Sequence, residues 1–148
     1  MSKLCSCCEK WSPCLLSLMR IVIALMLLQH GAQKVFGYPA TKHVLAPLFS
    51  SSGMGGMAEL AGGLLVLLGL FTRPAALFLA AKMAATYGVL YARLAWWPIH
   101  NQGELAVIYC FVFLYLSAAG PGPFSLDQLR KCSAAPTPTP TPSPPPPG

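Results

Sequence analysis

Long apolar runs separated by short polar breaks dominate the chain. Four runs contain few charged positions, approximately residues 15–33, 57–71, 75–97 and 103–120. A helix needs about 20 residues to cross a hydrocarbon core about 30 Å thick, and the first, third and fourth runs approach or exceed that length. Strands of an outer-membrane barrel would instead alternate apolar and polar residues over about ten positions. The pattern therefore predicts four membrane-spanning α-helices.

Turn-forming and interfacial residues lie at the ends of these predicted helices. Residues 71–74 predict a tight hairpin, because their proline suits the first turn of the next helix. Trp96 and Trp97 are predicted to end the third helix at the membrane interface, where indole rings accumulate. Two Gly-Pro pairs at residues 120–123 are predicted to stop the fourth helix. These signals predict an all-α integral membrane four-helix bundle over residues 15–127.

The two ends of the chain differ in composition from the predicted bundle. Residues 1–14 contain four cysteines and are predicted to form a Cys-rich cytoplasmic segment, whose thiols stay reduced in that compartment. No histidine lies near these cysteines, so no metal site is predicted. Residues 128–148 are dominated by proline and threonine. Such a composition buries little apolar surface, and it predicts a disordered tail.

Composition and charge support a membrane protein. Charged residues make up 9% of the 148 positions and apolar residues 55%, whereas soluble domains carry about 25% charged residues. A soluble globule of this size is therefore excluded. The net charge of +6 comes from cations dispersed among apolar segments, so nucleic acid is not an expected partner.

The cations in the loops predict the orientation of the bundle. Four spans place both termini and the 71–74 hairpin on one side of the membrane. That side carries five cations, which are Lys3, Lys10, Arg73, Arg130 and Lys131. The other side carries two, which are Lys34 and Lys42. Because cytoplasmic loops carry the excess of positive charge, both termini are predicted to be cytoplasmic.

Ionisable groups inside apolar spans are costly and therefore mark candidate functional positions. The candidate catalytic residues are His30, Glu59 and Glu104, and the candidate binding residues are Lys34, Lys82, Arg93 and Asn101. All of these except Lys82 are expected to converge, together with His100, on the outer half of the bundle. Ion pairs that only hold the bundle together are an equally open interpretation.

Counting residues from the hairpin predicts one specific ion pair. Glu59 precedes Phe71 by twelve residues and Lys82 follows Pro74 by eight. These positions lie about 18 Å and about 12 Å above the same end of the bundle at 1.5 Å per residue. A lysine side chain can extend across that difference. We therefore predict that Glu59 and Lys82 form a buried ion pair between adjacent helices.

Three motifs resemble those of the DoxX family, and together they span about residues 15–127. The first is His-Gly-Ala-Gln-Lys-Val-Phe-Gly at residues 30–37. The second is Glu-Leu-Ala-Gly-Gly at 59–63 together with Gly-Leu-Phe-Thr-Arg at 69–73. The third is Asn-Gln-Gly-Glu-Leu-Ala at 101–106, followed by Gly-Pro-Gly and Ser-Leu-Asp within 120–127. The resemblance implies a four-helix protein of a bacterial-type plasma (inner) membrane. Some members of the family are subunits of a thiosulfate:quinone oxidoreductase.

This resemblance implies a quinone-linked redox subunit that works with a partner oxidoreductase subunit. In that hypothesis His30 bonds to the quinone, Glu59 and Glu104 carry protons, and Lys34 or Arg93 attracts an anionic electron donor. The alternative is a non-enzymatic membrane anchor or scaffold for a partner protein. The sequence is compatible with the chain being an enzyme by itself or only a subunit, and with a monomer or a homo-oligomer in the bilayer.

Overall fold

Helices make up all of the regular secondary structure in the part of the chain that the structure describes, which confirms the all-α prediction. The structure is a computed structural model that describes residues 2–38 and 50–133, with side chains at 11–38 and 50–130. The helices in chain order are α1 (Ser2–Phe36), α2 (Ser51–Leu68), α3 (Thr72–Thr86, continued by a π-helical turn at Tyr87–Tyr91), α4 (Pro98–Asn101), α5 (Glu104–Ala119) and α6 (Leu126–Ser133).

Helices α1, α2, α3 and α5 form the bundle. Helix α1 packs against α2, α2 against α3, and α3 against α5. Leu27, Leu79, Phe113 and Leu116 are fully buried where these helices meet. The end of the bundle that holds the α2–α3 hairpin and α6 is called the α6 end below. The opposite end, where α1 stops and α5 begins, is called the cavity end.

The outer surface of the bundle is apolar enough for a lipid environment. Among the described residues, three helical segments have the length and composition of a membrane span: Trp11–Phe36, Ser51–Leu68 and Thr72–Tyr91. Helix α5 is also apolar but has 16 residues, or about 24 Å at 1.5 Å per residue. Large apolar side chains such as Leu77 and Phe111 are exposed on this surface. The chain is therefore a membrane protein whose helices contact the lipid bilayer.

Helices α1 and α2 approach each other closely because glycines face each other across their interface. A Cβ atom on Gly31 would lie 2.9 Å from the carbonyl oxygen of Gly56, and a Cβ atom on Gly56 would lie 2.8 Å from Cβ of Lys34. Such distances exclude any side chain, and small residues at helix contacts permit this backbone approach. The consequence for the site is that Lys34 of α1 lies directly over α2.

The hairpin between α2 and α3 is closed by a residue from the far end of the chain. Gly69 ends α2 in the left-handed conformation, with φ of 68°, which glycine adopts without strain. The first turn of α3 is then capped by Asp127: its carboxylate accepts hydrogen bonds from the backbone N–H of Phe71 at 3.1 Å and of Thr72 at 3.0 Å. The hydroxyl of Thr72 donates a third bond to the same carboxylate.

The Asp127 cap is expected to make stability depend on pH at the acidic end of the range. Partial burial by itself raises the pKa of Asp127, but the bonds from Thr72 and Phe71 and the charge of Arg130 together hold that pKa below its ordinary value of 3.8. The carboxylate therefore stabilises the fold above about pH 4, and this contribution is lost as the pH falls through the lowered pKa. A side-chain cap contributes about 1 kcal/mol.

Melting of the detergent-purified protein between pH 3 and pH 7 measures this contribution. Asp127→Ala is expected to melt below the wild type at pH 7, and the difference should become smaller as the pH falls below about 4. The other three carboxyl side chains are common to both proteins, so the difference isolates Asp127. A difference that stays constant over the whole range would show that the ionised cap does not stabilise the hairpin.

Most observed helix bounds lie within three residues of the predicted ones, and four differences need an explanation. Helix α1 begins at Ser2 rather than residue 15, so the Cys-rich segment continues the helix. Helix α2 begins at Ser51 because the Ser50 hydroxyl caps it, accepting from Gly53 N–H. The third span ends at Tyr91 instead of Trp97. Helix α6 runs to Ser133, into the segment predicted to be a disordered tail; residues 134–148 of that tail lie outside the described residues.

Candidate functional site

The charged cluster of the bundle is centred on Glu59, which is 2% exposed. One carboxylate oxygen, Oε1, accepts hydrogen bonds from the ammonium groups of both Lys34, at 2.6 Å, and Lys82. The predicted Glu59–Lys82 ion pair is therefore confirmed, and Lys34 is an additional partner. Two lysines and one glutamate give the cluster a formal charge of +1, in a region where uncompensated charge is costly.

The backbone around Glu59 explains how both lysines reach one oxygen. Lys34 lies over α2 because Gly56 has no side chain to hold α1 away. Lys82 passes over Gly55, where a Cβ atom would lie 3.8 Å from its Cε. Gly55 precedes Glu59 by one helical turn, so it leaves room for the lysine stem on the same face.

A cavity of about 120 Å³ adjoins this cluster. All four helices of the bundle contribute to its wall, as does the segment between α4 and α5. The lining residues are Leu27, His30, Lys34, Glu59, Met83, Thr86, Tyr91, Gln102, Leu105, Ala106 and Tyr109. Four of the eleven lining residues are apolar, two are tyrosines, and the other five carry polar or charged groups. The wall thus combines apolar and aromatic surface with convergent polar groups, as small-molecule sites do.

Two buried polar atoms of the lining residues have no hydrogen-bond partner in the part of the chain that the structure describes. They are the second carboxylate oxygen of Glu59, Oε2, and the hydroxyl of Tyr109. The Tyr109 ring packs edge-on against the His30 imidazole, with ring centroids 5.9 Å apart, and stacks on Phe113. Buried polar groups are normally bonded, so these two atoms mark positions where a ligand could supply the missing partners.

The π-helical turn at the end of α3 places Tyr91 in the cavity wall. A π turn inserts an extra residue into the helical repeat and occurs frequently at functional sites. Asn101 holds the segment after it: the Asn101 side-chain amide donates to the carbonyl oxygens of Tyr91 at 3.1 Å and Ala95 at 2.7 Å. Its oxygen accepts from Gly103 N–H at 2.8 Å. These bonds turn the chain at Tyr91, which explains why the span ends before Trp97.

The predicted convergence of seven polar residues is only partly present. His30, Lys34 and Glu59 line the cavity, and Lys82 reaches Glu59 from α3. Arg93, His100 and Glu104 are exposed and do not line it, because Arg93 and His100 follow the early end of the third span and Glu104 faces outward in the first turn of α5. Asn101 is buried but does not line the cavity, because its side chain bonds to backbone groups and to the Tyr87 hydroxyl.

Comparison with known sequences identifies the family of the chain. The DoxX family profile matches residues 15–92, a range that includes His30, Lys34, Glu59 and Lys82. The chain belongs to the DoxX family. An uncharacterized protein of Haemophilus influenzae is 37% identical to this DoxX protein over 128 residues, which cover 81% of the chain and 93% of that relative. No solved structure matches the chain.

Sequence reasoning missed Tyr109, Tyr91 and Gln102 as residues of the cavity in this DoxX protein. Tyr109 lies in an apolar run, where a tyrosine resembles an ordinary core residue, and its unpartnered hydroxyl is visible only in three dimensions. Gln102 follows Asn101 in the Asn-Gln-Gly-Glu-Leu-Ala motif at residues 101–106. That motif therefore indicated the part of the chain in which Gln102 lies. The family match ends at residue 92, before all of α5.

Proposed function

We propose that this DoxX protein is the membrane subunit of a quinone-linked oxidoreductase and that its cavity binds the quinone head group. The proposal rests on one observation, a small cavity between the helices of the bundle. Two of its lining residues have a buried polar atom with no hydrogen-bond partner among the described residues, Glu59 Oε2 and Tyr109 Oη. A quinone supplies a ring that accepts two electrons and two protons. The protein has to provide a ring-sized space, hydrogen bonds and protons.

The size of the cavity favours a ligand with a single small ring. An engineered apolar cavity of about 150 Å³ holds one benzene molecule, and this cavity measures about 120 Å³. Sites for drug-sized molecules are larger, about 300–1,000 Å³. A nucleotide or flavin therefore does not fit inside it, whereas a quinone head group matches its scale and the isoprenoid tail can extend into the surrounding lipid.

The polar groups of the cavity match the requirements of such a head group. Carbonyl oxygens need donors, and two lining residues can provide them: Tyr109 through its hydroxyl and Lys34 through the remaining N–H groups of its ammonium, which has three donors. Glu59 Oε2 can accept from a hydroxyl. The formal +1 charge of the cluster also favours a ligand that gains electron density. The oxidised ring, with carbonyl oxygens that accept, and the reduced ring, with hydroxyl groups that donate, therefore find different partners in the same site.

The same residues offer a route for protons. Lys34 is 35% exposed and touches Glu59, which is 2% exposed. This contact links the outside of the cavity end to the buried carboxylate. His30, another lining residue, lies against the Tyr109 ring. A lysine, a carboxylate and an imidazole are the side chains that most often carry out general acid–base steps.

The electrons have to come from outside the cavity. Cys110 of α5 does not line the cavity and is a single thiol. Cys14 of α1 precedes His30 by sixteen residues, or about 24 Å along the helix at 1.5 Å per residue. The Cys-rich segment extends further away still. We therefore assign the electron donor to a partner subunit that docks on the bundle.

Quinone titration of the detergent-purified chain tests this proposal. A short-tailed benzoquinone is the probe, and its dissociation constant is measured for the wild type, Tyr109→Phe and Tyr115→Phe. Tyr109→Phe removes one hydrogen bond, worth about 1 kcal/mol, and is expected to weaken binding about fivefold. Tyr115 lies on the same helix but is 57% exposed, so Tyr115→Phe should bind as the wild type does.

Two results would contradict the proposal. Equal affinities for all three proteins would place the quinone elsewhere, and no saturable binding by the wild type would remove it altogether. If the chain bound no quinone but retained a soluble partner through purification, the membrane anchor or scaffold function would be the better explanation.

A further inference from the structure

A second concave surface lies at the α6 end, about one span away from the cavity. It is an open groove of about 540 Å³ between the first turn of α3, the loop after α5 and helix α6. Residues 71–74, Pro121, Asp127 and Arg130 line it, and we refer to it as the Arg73–Arg130 groove. Because α2 ends and α3 begins beside it, the groove lies at the depth of the lipid headgroups.

Two arginines from different helices give this groove its charge. Arg73 and Arg130 are exposed, and neither forms a salt bridge within the described residues. The Arg130 guanidinium lies 5.7 Å from the centroid of the Phe71 ring, and the Arg73 guanidinium lies beside Gly120. Guanidinium groups bind phosphate oxygens through paired N–H donors, so two of them on one groove can hold one phosphate.

The carboxylate in the groove does not cancel this preference. Asp127 accepts three hydrogen bonds from Phe71 and Thr72 at the start of α3, so its oxygens are directed at the helix. Arg20 lies behind the groove and is 1% exposed. The groove and its immediate surroundings carry a net positive charge, because three arginines outnumber the one carboxylate of Asp127. An anion would complement this charge.

Apolar surface adjoins the groove on the side facing the membrane. Leu77 follows Arg73 by one helical turn on α3 and is 54% exposed, so an acyl chain could run along it from a headgroup at Arg73. On α6, Leu126 and Leu129 are exposed, and Leu126 lies one helical turn before Arg130 on the same side of the helix. Apolar side chains therefore stand next to the charged group of the groove.

We propose that the Arg73–Arg130 groove binds the headgroup phosphate of an anionic phospholipid. The two guanidiniums hold the phosphate, and the acyl chains follow the exposed stripe of α3 that begins at Leu77. The groove selects lipids by their net charge, because a zwitterionic headgroup brings a cation towards the same two arginines. Basic residues at such a surface contribute about 1 kcal/mol each to binding of anionic lipid.

Melting of the full chain in a neutral detergent tests this proposal. The probes are dihexanoyl phosphatidylglycerol, dihexanoyl phosphatidylcholine and inorganic phosphate, each added in increasing concentration. Phosphatidylglycerol is expected to raise the melting temperature of the wild type saturably. Its half-saturating concentration should rise about fivefold for Arg73→Gln and for Arg130→Gln, and about 25-fold for the double variant, as the contribution per basic residue predicts.

Arg93→Gln is the matched control, because Arg93 is also exposed but lies at the cavity end, and it should respond as the wild type does. Arg73→Lys and Arg130→Lys keep the charge and lose the paired donors, so their affinities should lie between those of the wild type and the glutamine variants. They also test the groove if a glutamine variant fails to fold.

Three outcomes would overturn the proposal. An equal response to phosphatidylcholine would show that anionic charge is not recognised. A full response to inorganic phosphate at the same concentration would make the groove a phosphate site and not a lipid site. Equal weakening by Arg93→Gln would mean that the lipid responds to the total charge of the protein.

Discussion

Replacing Glu59 with glutamine is expected to lower the free energy of unfolding by about 3–5 kcal/mol, the cost of removing one partner from a buried ion pair. Glu59 is the carboxylate that neutralises Lys34 and Lys82, whose side chains are 35% and 16% exposed. Without it, both ammonium groups remain beside the cavity with no counter-charge. Water that reaches Lys34 places the loss towards the lower end of that range.

A double-mutant cycle in detergent separates the two lysines. Lys82→Met is expected to cost more than Lys34→Met, because Lys82 is the less exposed partner. Combining Glu59→Gln with Lys82→Met should cost less than the sum of the two single changes. Glu104→Gln removes an exposed carboxylate and should cost less than about 1 kcal/mol. Strict additivity within a few tenths of a kcal/mol would show that Glu59 and Lys82 do not interact.

Arg20→Met is expected to be the second most destabilising of these changes, at about 3 kcal/mol. The Arg20 guanidinium is 1% exposed and donates to the carbonyl oxygens of Pro121, at 2.8 Å, and Phe124. Hydrogen bonds to charged groups contribute about 1.5–3 kcal/mol each. Part of that sum is offset because methionine also removes the cost of burying a charge.

Hydrogen exchange shows which part of the protein loses stability in Arg20→Met, and by how much. Arg20→Met should increase exchange of the amides of residues 122–133 more than that of α5, because the lost bonds hold the loop that leads to α6. Arg93→Met removes an exposed arginine at the other end of the bundle and should leave exchange and melting unchanged. If both variants lost the same stability, the contacts of Arg20 with the loop would not be the cause.

The Glu59–Lys82 pair could be predicted because the sequence determines the relative heights of its two residues. A tight hairpin joins α2 to α3, so counting residues from the hairpin gives the depth of each side chain. Lys34 could not be placed in this way. Its height relative to α2 depends on the longer segment between α1 and α2, and on the approach of Gly31 to Gly56, which only the packed structure shows.

The sequence predicts Arg93, Asn101 and Glu104 as site residues because polar residues near the ends of the third and fourth runs are expected on the outer half of the bundle; none of the three lines the cavity. The third span ends at Tyr91, because the Asn101 side chain satisfies the Tyr91 and Ala95 carbonyl oxygens and turns the chain. A local polar contact thus overrides the apolar pattern. The cap at Asp127 was equally inaccessible to sequence reasoning, since its partner Thr72 lies 55 residues earlier.

The contacts of the α5–α6 loop also impose an order on the biogenesis of the protein. Arg20 is synthesised 101 residues before Pro121, which accepts its hydrogen bond. A nascent chain that has inserted α1, α2 and α3 therefore holds a guanidinium that water or lipid phosphate must solvate, and an α3 whose first turn has no cap. The Arg20 guanidinium and the first turn of α3 obtain their hydrogen-bond partners only after residues 121–127 have left the ribosome. Assembly of the bundle in the membrane is therefore completed by the segment that is synthesised last.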